Sequence, residues 1–428
     1  MERLIIEELL QWKTSPRRKP LILNGARQVG KTWILKHFGE MHYDNVAYIN
    51  CDKESLAAKL FEDYDTKRII QAIETITNTQ IVAGKTLIII DEIQEVPRGL
   101  HALKYFAENA PEQHIAVAGS LLGLLLHQGE SFPVGKVNML QMHPMTFLEF
   151  LKAMGEDKIY QQLVNREWSV TNTVHEKIVK HLRMYLYVGG MPEAVQAYCD
   201  NVPLREIRSI HNEILTAYIN DLSKHAPKEQ VVRITQVFRS IPAQIAKENK
   251  KFIFGVLKKG ARAKEFELAI QWLMDAGLVH KVCQVSKPEA PLTFYEEADA
   301  FKLFLLDCGL LGAMNMTDAT EAMLTDNIFE EYNGALTEQL VLQELKCVPN
   351  LPVYYYTKQN SQQEIDFLID IKNCAIPIEA KAGENLQAKS LKQFIQENKS
   401  EKAIKTSLKP YKSNEVIDNV PLYALYCY

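Results

Sequence analysis

The sequence predicts an α/β protein of several domains, in which a parallel sheet is followed by a helical region and a second α/β domain. Its 428 residues exceed the size of one ordinary domain. Between residues 21 and 150, short apolar runs of strand length alternate with helical stretches. These runs are continuously apolar, which indicates strands buried on both faces, as in a parallel sheet covered by helices.

Changes in pattern along the chain divide the rest of it into regions. The expected regions are an α/β domain over residues 1–150, a helical region over 151–229, a winged-helix domain over 230–300 and an α/β domain over 301–428. The winged helix is expected because helices are followed by a hairpin, VHKVCQV, SKPEAP and LTFYEE. In the last region, a helix over residues 337–346 precedes the strands VYYYT, EIDFLID, AIPIEAKA and PLYALYCY.

Two local features of the later regions are expected to be structural. The segment Gly189-Gly190-Met191-Pro192 indicates a turn that admits positive φ at glycine, followed by the start of a helix. Asp307 lies inside an apolar segment, FKLFLLDCGLL, and the default expectation there is a local hydrogen bond.

Composition excludes several classes of protein. Hydrophobic residues make up 47% and charged residues 24%, which is typical of soluble globular proteins rather than disordered ones. A net charge of -4 gives no overall attraction to nucleic acid or membranes, so any such surface must be local. The 7 cysteines are scattered singly, without zinc-site spacing, and no apolar run approaches the roughly 20 residues that cross a bilayer. We therefore expect a cytoplasmic protein with reduced thiols and no membrane partner.

A glycine-rich loop follows the first apolar run and matches the pattern G-x-x-x-x-G-K-[ST]. The loop consists of Gly25, Ala26, Arg27, Gln28, Val29, Gly30, Lys31 and Thr32, and Trp33 follows it at the start of a helix. Backbone amides in such a loop and at a helix N-terminus attract an anion. Lys31 is expected to reach the β- and γ-phosphates of ATP, and the Thr32 hydroxyl to hold Mg²⁺. The alternative is a strand-to-helix turn that binds nothing.

An apolar run followed by two acidic residues is the second element that a nucleotide site of this kind requires. Asp91 is expected to bind Mg²⁺ through water, and Glu92 to orient and deprotonate the attacking water, so both predict ATP hydrolysis. Solvation alone can explain acids at the end of a strand. The distance from the upstream loop favours the catalytic interpretation.

Two further residues are weaker candidates for contact with the phosphates. Ser120 follows the next buried strand and is expected near the γ-phosphate or the water, although a plain strand-to-helix turn is the alternative. Lys136 follows a glycine and can sense phosphate charge or act across a subunit boundary. The alternative for Lys136 is an ordinary solvated lysine.

These segments carry a family resemblance. GARQVGKT, IIIDEIQEVP, AGS and SFPVGKVNMLQMHPMTFLEFL closely resemble prokaryotic AAA-type P-loop ATPases that have a C-terminal domain of unknown function. The resemblance continues through YLYVGGMPEAV, FKLFLLDCGLL, GALTEQLVLQEL and EIDFLI to IEAKAG. It implies an ATPase core of the additional-strand type with Glu92 as the catalytic acid. Similar proteins usually have Gly-Arg where this chain has Gly135-Lys136, and lysine lacks the planar fork of an arginine finger.

The C-terminal region contains acids and a lysine at a notable spacing. Glu379 and Lys381 are two residues apart in a predicted strand and share a face, and a hairpin would bring Asp366 beside Glu379. Two carboxylates and a carbonyl can bind a divalent metal, the lysine can position a water, and Glu338 can add a third carboxylate. The arrangement resembles the PD-(D/E)XK nuclease fold, although Ile365 replaces the family proline. The alternative is a solvated hairpin face with ordinary ion pairs.

A basic segment lies between residues 233 and 264. Its cations are Arg239, Lys247, Lys250, Lys251, Lys258, Lys259 and Arg262, and Glu248 opposes them. Such a cluster at a winged helix is expected to neutralise DNA phosphates with little sequence preference. The alternative is a solvated helix face, with Phe252, Phe254 and Trp272 in the core.

The sequence thus supports two hypotheses. In the first, ATP hydrolysis drives a machine whose C-terminal half engages DNA and can also cut it. In the second, ATP switches the conformation of a regulator of a protein partner, and the nuclease-like domain is inert. AAA-type ATPases often complete their sites in an oligomer, whereas the departure at Lys136 argues against it, so the oligomeric state stays open.

Overall fold

The computed structural model describes most of the chain, and the described residues form two compact units. The described ranges are 1–53, 56–119, 133, 135–247, 251–315, 333–358, 363–382 and 389–428. The N-terminal unit consists of Glu2–His143 and Asp275–Gly277. The C-terminal unit consists of Pro144–Met274 and Leu278–Tyr428, together with Met1.

In the N-terminal unit, strands and helices alternate along the chain. The strands are β1 (Leu21–Asn24), β2 (Asn45–Asn50), β3 (Thr86–Asp91), β4 (His114–Ala118) and β5 (Asn138–Gln141). The helices are α1 (Ile5–Thr14), α2 (Lys31–His42), α3 (Ala57–Leu60), α4 (Thr66–Thr77) and α5 (Pro97–Asn109), with a 3-10 turn at Ile93–Glu95. Neighbouring strands pair in parallel in the order β2-β3-β4-β1-β5, which confirms the predicted α/β sheet.

The strand order explains where the functional segments meet. Strand β4 lies between β1, which leads into the glycine-rich loop, and β3, which ends in Asp91. This confirms the additional strand that the family resemblance implied. Every residue of β3 and β4 is buried, and Ile88 and Ile90 pack with Ile69 and Ile73 of α4. A strand covered on both faces in this way needs the continuous apolar run that the sequence shows.

The C-terminal unit joins a helical region to a large sheet. Its helices are α6 (Phe147–Ala153), α7 (Asp157–Val164), α8 (Trp168–Thr173), α9 (His175–Val188), α10 (Pro192–Cys199), α11 (Leu204–His225), α12 (Lys228–Ile245), α13 (Ala263–Asp275), α14 (Cys308–Met314), α15 (Asn333–Lys346) and α16 (Lys389–Asn398). Its 3-10 helices are Phe254–Val256, Leu292–Tyr295 and Leu422–Cys427. None of the helices in the described ranges is long and apolar enough to cross a membrane.

Eight strands form the sheet of the C-terminal unit, in the order β12-β13-β11-β10-β9-β8-β6-β7. They are β6 (Val279–Val285), β7 (Glu296–Leu305), β8 (Val353–Thr357), β9 (Glu364–Ile371), β10 (Cys374–Ala380), β11 (Ala403–Ser407), β12 (Lys412–Ser413) and β13 (Ile417–Pro421). The predicted hairpin is present as the antiparallel pair β6–β7. Its second strand begins at Glu296 rather than Leu292 and continues through residue 300, where the sequence placed a domain boundary. Strand β6 also pairs with β8.

The predicted terminal strand PLYALYCY is wrong. The last strand is Ile417–Pro421, and Leu422–Cys427 forms a 3-10 helix with buried Leu422 and Tyr423. Pro421 lacks a backbone N–H and cannot donate a hydrogen bond to a neighbouring strand, which disfavours continuation of the strand beyond it. An apolar aromatic run is compatible with either structure when it is buried, and the proline marks the change.

The Gly189-Gly190 turn and Asp307 form one buried arrangement. One carboxylate oxygen of Asp307 accepts from Gly190 N at 2.6 Å, and the other accepts from Leu310 N at 2.9 Å and caps α14. A Cβ at Gly189 would lie 2.3 Å from Asp307 Oδ1, and one at Gly190 would lie 2.1 Å from Met145 O. Both glycines are therefore required by close approach, and burial raises the pKa of Asp307.

Candidate functional site

The glycine-rich loop connects β1 to α2 in a conformation that depends on glycine. Gly25 has φ 152°, and a Cβ there would lie 2.4 Å from Met142 O. Gly30 precedes α2 in the left-handed region, with φ 97°. Arg27 and Gln28 are exposed, whereas Ala26 and Val29 are buried. The loop thus leads into the N-terminus of α2, where unpaired amides attract an anion.

Lys31 lies across this loop. Its side chain is buried, and Nζ donates to Gly25 O and Ala26 O, both at 2.8 Å. Burial lowers the pKa of Lys31 to about 8, although the charges of Glu92 and Asp91 oppose that effect. The residue is therefore a cation that phosphate would stabilise further.

The carboxylate of Asp91 contacts the first turn of α2. Asp91 is buried at the end of β3, and its Oδ2 accepts from Thr32 Oγ1 at 2.7 Å. Tyr48 OH on the neighbouring strand β2 donates to the same oxygen at 3.0 Å. Hydroxyl and carboxylate oxygens are the hard ligands that Mg²⁺ prefers, so Thr32 and Asp91 fit the expected metal.

Glu92 follows Asp91 in an unusual backbone conformation. Its φ of 51° and ψ of 42° lie in the left-handed region, which non-glycine residues rarely adopt. Glu92 N donates to Asp91 Oδ1 at 3.1 Å, and Gln94 Nε2 donates to Glu92 Oε2. The half-buried carboxylate is therefore oriented by its own turn, as a water-activating group requires.

Other predicted residues of this site have different surroundings. Trp33 is exposed, and its ring stacks on His37 with 4.7 Å between the centroids. Lys136 forms an ion pair with Glu108 at 2.8 Å and lowers the pKa of that carboxyl. Ser120 lies outside the described residues.

Two contacts of this site were missed by sequence reasoning. Tyr48 reaches Asp91 only because of the register that pairs β2 with β3. Gly277, distant in the sequence, lies against the loop in the N-terminal unit, since a Cβ there would be 3.1 Å from Ala26 N. Neither contact has a signal in a local motif.

The C-terminal carboxylates come together around the predicted hairpin. Strands β9 and β10 are joined through Lys372 and Asn373, and Asp366 Oδ2 accepts from Ala380 N at 2.9 Å. Lys381 Nζ lies 2.7 Å from Glu379 Oε1. Burial would lower the pKa of Lys381, but its bond to Glu379 and the charges of the surrounding acids outweigh that effect and raise it. We call Glu338, Glu364, Asp366 and Glu379 the carboxylate cluster.

Lys302 is a member of this site that the sequence did not reveal. It lies on β7 with its side chain 1% exposed, and its Nζ is 2.6 Å from Glu364 Oε1 and 3.6 Å from Glu338 Oε2. Burial by itself would lower the pKa of Lys302, but the negative charges of the carboxylates have the larger effect and raise it. Within the ranges that the structure describes, no group of three or more His, Cys, Asp or Glu side chains could hold a metal ion.

The basic segment presents cations at the surface. The exposed ones are Arg239, Lys251, Lys258, Lys259, Arg262 and Lys264. Lys250 and Glu248 lie outside the described residues, and Lys247 is half-buried. Phe252 stacks on Phe301 with 5.5 Å between the ring centroids, and Trp272 is buried, so these two aromatic residues belong to the core.

Removal of the Tyr48 hydroxyl should weaken magnesium binding. In Tyr48→Phe, Asp91 loses a hydrogen bond worth about 1 kcal/mol, so half-maximal ATP turnover should need roughly fivefold more Mg²⁺. Nucleotide affinity in EDTA should not change. Tyr43→Phe is the matched control, because that hydroxyl bonds His114 instead. An equal Mg²⁺ requirement in both variants would contradict the role given to Tyr48.

Nucleotide affinity without metal should fall as pH rises through the pKa of Lys31. The protonated amine binds phosphate, and burial lowers this pKa to about 8, so the proton is lost above that pH. If only the protonated form binds, affinity falls by up to about tenfold per pH unit above the pKa. Fluorescent ADP titrated in EDTA between roughly pH 6.5 and 9.5 measures this. Lys31→Met should bind weakly and without the inflection, and a wild-type profile that is flat in this range contradicts the assignment.

Comparisons with known proteins match three separate segments of the chain. A family described as an AAA domain matches residues 17–151. Families described as domains of unknown function match residues 179–321 (DUF8612) and 333–425 (DUF4143). No curated protein matches the sequence significantly.

Several solved structures are similar at low identity. The Walker-type ATPase PABY2304 of Pyrococcus abyssi is 15% identical over 72% of this chain and 95% of its own, with a TM-score of 0.44. The RuvB Holliday junction branch migration motor of Thermotoga maritima is 13% identical over 65% and 89%, with a TM-score of 0.31. The ORC1 protein of Aeropyrum pernix, solved with DNA, is 12% identical over 75% and 92%, with a TM-score of 0.27.

Such low identities and TM-scores carry no conclusion about what this chain acts on. The parallel sheet, the glycine-rich loop and the matched family segments agree with one another independently of them. Residues 17–151 therefore match an AAA domain and carry a glycine-rich loop on a parallel sheet, and residues 333–425 match a domain of unknown function.

Proposed function

We propose that the AAA domain binds ATP with Mg²⁺ and hydrolyses it. The observation that carries this proposal is the 2.7 Å bond between Thr32 and Asp91, which joins the first turn of α2 to the end of β3, directly before Glu92. Mg²⁺, when bound, supplies charge neutralisation between the β- and γ-phosphates. Thr32 and Asp91 would hold it.

The remaining steps belong to the protein's own groups. Lys31, already directed at the loop carbonyls, transfers its hydrogen bonds to phosphate oxygens and stabilises the negative charge that develops on them. Glu92 orients a water and accepts its proton, and the bond from Gln94 keeps that carboxylate in place. Loop amides at the start of α2 complete the phosphate site.

Glu92→Gln tests the catalytic assignment. Because the amide cannot accept the proton of water, turnover should fall at least about 100-fold while ATP affinity is retained. Phosphate release and nucleotide binding should be measured on the same preparation. Glu95→Gln is the control, since this exposed neighbour belongs to the same turn and has no assigned role. Full turnover by Glu92→Gln would remove the proposed base.

We further propose that ATP hydrolysis is coupled to DNA through the basic segment. Exposed Lys258, Lys259 and Arg262 precede α13, while aromatic residues of the same segment pack inward. Cations placed in this way neutralise phosphates irrespective of sequence, and such binding weakens with salt. The expected winged helix around them remains a prediction.

DNA should stimulate ATP turnover, and neutralising these cations should weaken that effect. In the triple variant Lys258→Gln/Lys259→Gln/Arg262→Gln, duplex affinity should depend less on salt. The slope of log affinity against log salt concentration should become shallower by up to about 2.7, or about 0.9 per lost phosphate contact. Single-stranded, duplex and branched DNA should each be titrated against ATP turnover. The charge-matched control neutralises Lys53, Lys67 and Lys85, which are exposed in the N-terminal unit.

ATP turnover that is indifferent to every DNA would favour the second candidate, an ATP-dependent switch that controls a protein partner. In that candidate the nuclease-like domain is inert. The observation that favours inertness is the set of ion pairs Lys302–Glu338, Lys302–Glu364 and Lys381–Glu379. Metal-dependent cleavage by Asp366, Glu379 and Lys381 is supported only by the resemblance to a nuclease fold.

A further inference from the structure

We propose that Lys302 is the resident cation of the carboxylate cluster and takes the place that a divalent metal holds in a nuclease site of this kind. The C-terminal domain would then bind no catalytic metal. This inference concerns the carboxylate cluster alone and does not depend on ATP hydrolysis at the P-loop.

The ammonium group of Lys302 lies within the carboxylate cluster. Lys302 extends from β7 to lie between two acids of the cluster, Glu364 at 2.6 Å and Glu338 at 3.6 Å. Its Nζ is also 4.8 Å from the centre of the Tyr355 ring. A lysine that is only 1% exposed requires such partners, because a buried charge without them is strongly unfavourable.

Ammonium groups already face the buried carboxylates of the cluster. The most buried acids of the cluster each face an ammonium group: Glu338 shares Lys302 with Glu364, at 3.6 Å and 2.6 Å, and Glu379 has Lys381 at 2.7 Å. The fourth acid, Asp366, is partly exposed and accepts from Ala380 N. Each buried carboxylate of the cluster is therefore already faced by a positive charge.

Several carboxylate oxygens of the cluster already have partners. A divalent metal needs several oxygens converging at about 2.0–2.6 Å. Glu379 Oε1 is held by Lys381, Asp366 Oδ2 by Ala380 N, and Glu364 Oε1 by Lys302. Glu338 Oε2 and Glu379 Oε2 are both buried and accept no hydrogen bond from the described residues. Glu338 Oε2 lies 3.6 Å from Lys302 Nζ, and Glu379 Oε2 alone does not make a metal site. This oxygen identifies Glu379 as the carboxylate to mutate.

The test counts bound Mn²⁺ on the full chain without nucleotide, by electron paramagnetic resonance. Any ion held at the P-loop is common to all variants, so only binding that is lost on Glu379→Gln reports on the cluster. Wild type and Glu379→Gln should bind Mn²⁺ identically. Lys302→Met should gain affinity of about tenfold or more, since a like charge beside the cation is removed, and Lys302→Met/Glu379→Gln should lose that gain.

Two results would overturn the proposal. The first is Mn²⁺ binding by wild type that disappears in Glu379→Gln, because the cluster would then be a metal site despite Lys302. The second is a folded Lys302→Met that binds no additional Mn²⁺. Folding is checked by nucleotide affinity and thermal unfolding, and Lys302→Arg, which keeps the charge, should behave as wild type. If Lys302→Met does not fold, the comparison of wild type with Glu379→Gln still decides the main claim.

Discussion

The hydrogen bond from Thr32 to Asp91 is the interaction on which the candidate ATP site depends. It connects the first turn of α2 to the carboxyl end of β3, although β4 separates that strand from the strand leading into the P-loop. Parallel strands deliver their carboxyl ends to one edge of a sheet, so residues far apart in sequence meet there. Once Asp91 is fixed at that edge, Glu92 is placed beside it, and Tyr48 is close enough to hold the same oxygen. The parallel order of the strands thus determines both the fold and the position of the site.

Local motifs explain which parts of this site could be predicted. The glycine-rich loop and the Asp91-Glu92 pair are each formed by consecutive residues, and the buried strands are recognisable as unbroken apolar runs. Tyr48, Gly277 and Lys302 became visible only in the structure, because their contacts depend on register and packing between distant segments. The C-terminal aromatic run was misassigned for a related reason. Burial of such a run favours a strand and a 3-10 helix alike, and only the pairing of neighbouring backbone separates them.

The C-terminal unit is stabilised by polar groups inside its core, and α15 carries many of them. Gln339 bonds both N and O of Leu305, and Glu344 Oε1 accepts from Phe147 N at 2.9 Å. Burial raises the pKa of Glu344 to about 8. Gln343 donates to Tyr185 and to Asp307. The polar residues of GALTEQLVLQEL therefore act largely as internal hydrogen-bonding groups. Glu338 thus lies among residues with a structural role rather than among catalytic ones.

The tight turn between β9 and β10 restricts which insertions and deletions this hairpin can tolerate. Lys372 and Asn373 both have positive φ, of 51° and 63°, and they form the whole connection between Ile371 and Cys374. Side chains alternate across a sheet, so one inserted residue would slide the ladder and carry Glu379 and Lys381 to the opposite face from Asp366. Homologues that vary the length of this turn by a single residue would have to lose the cluster or repair the register with a bulge elsewhere in the hairpin.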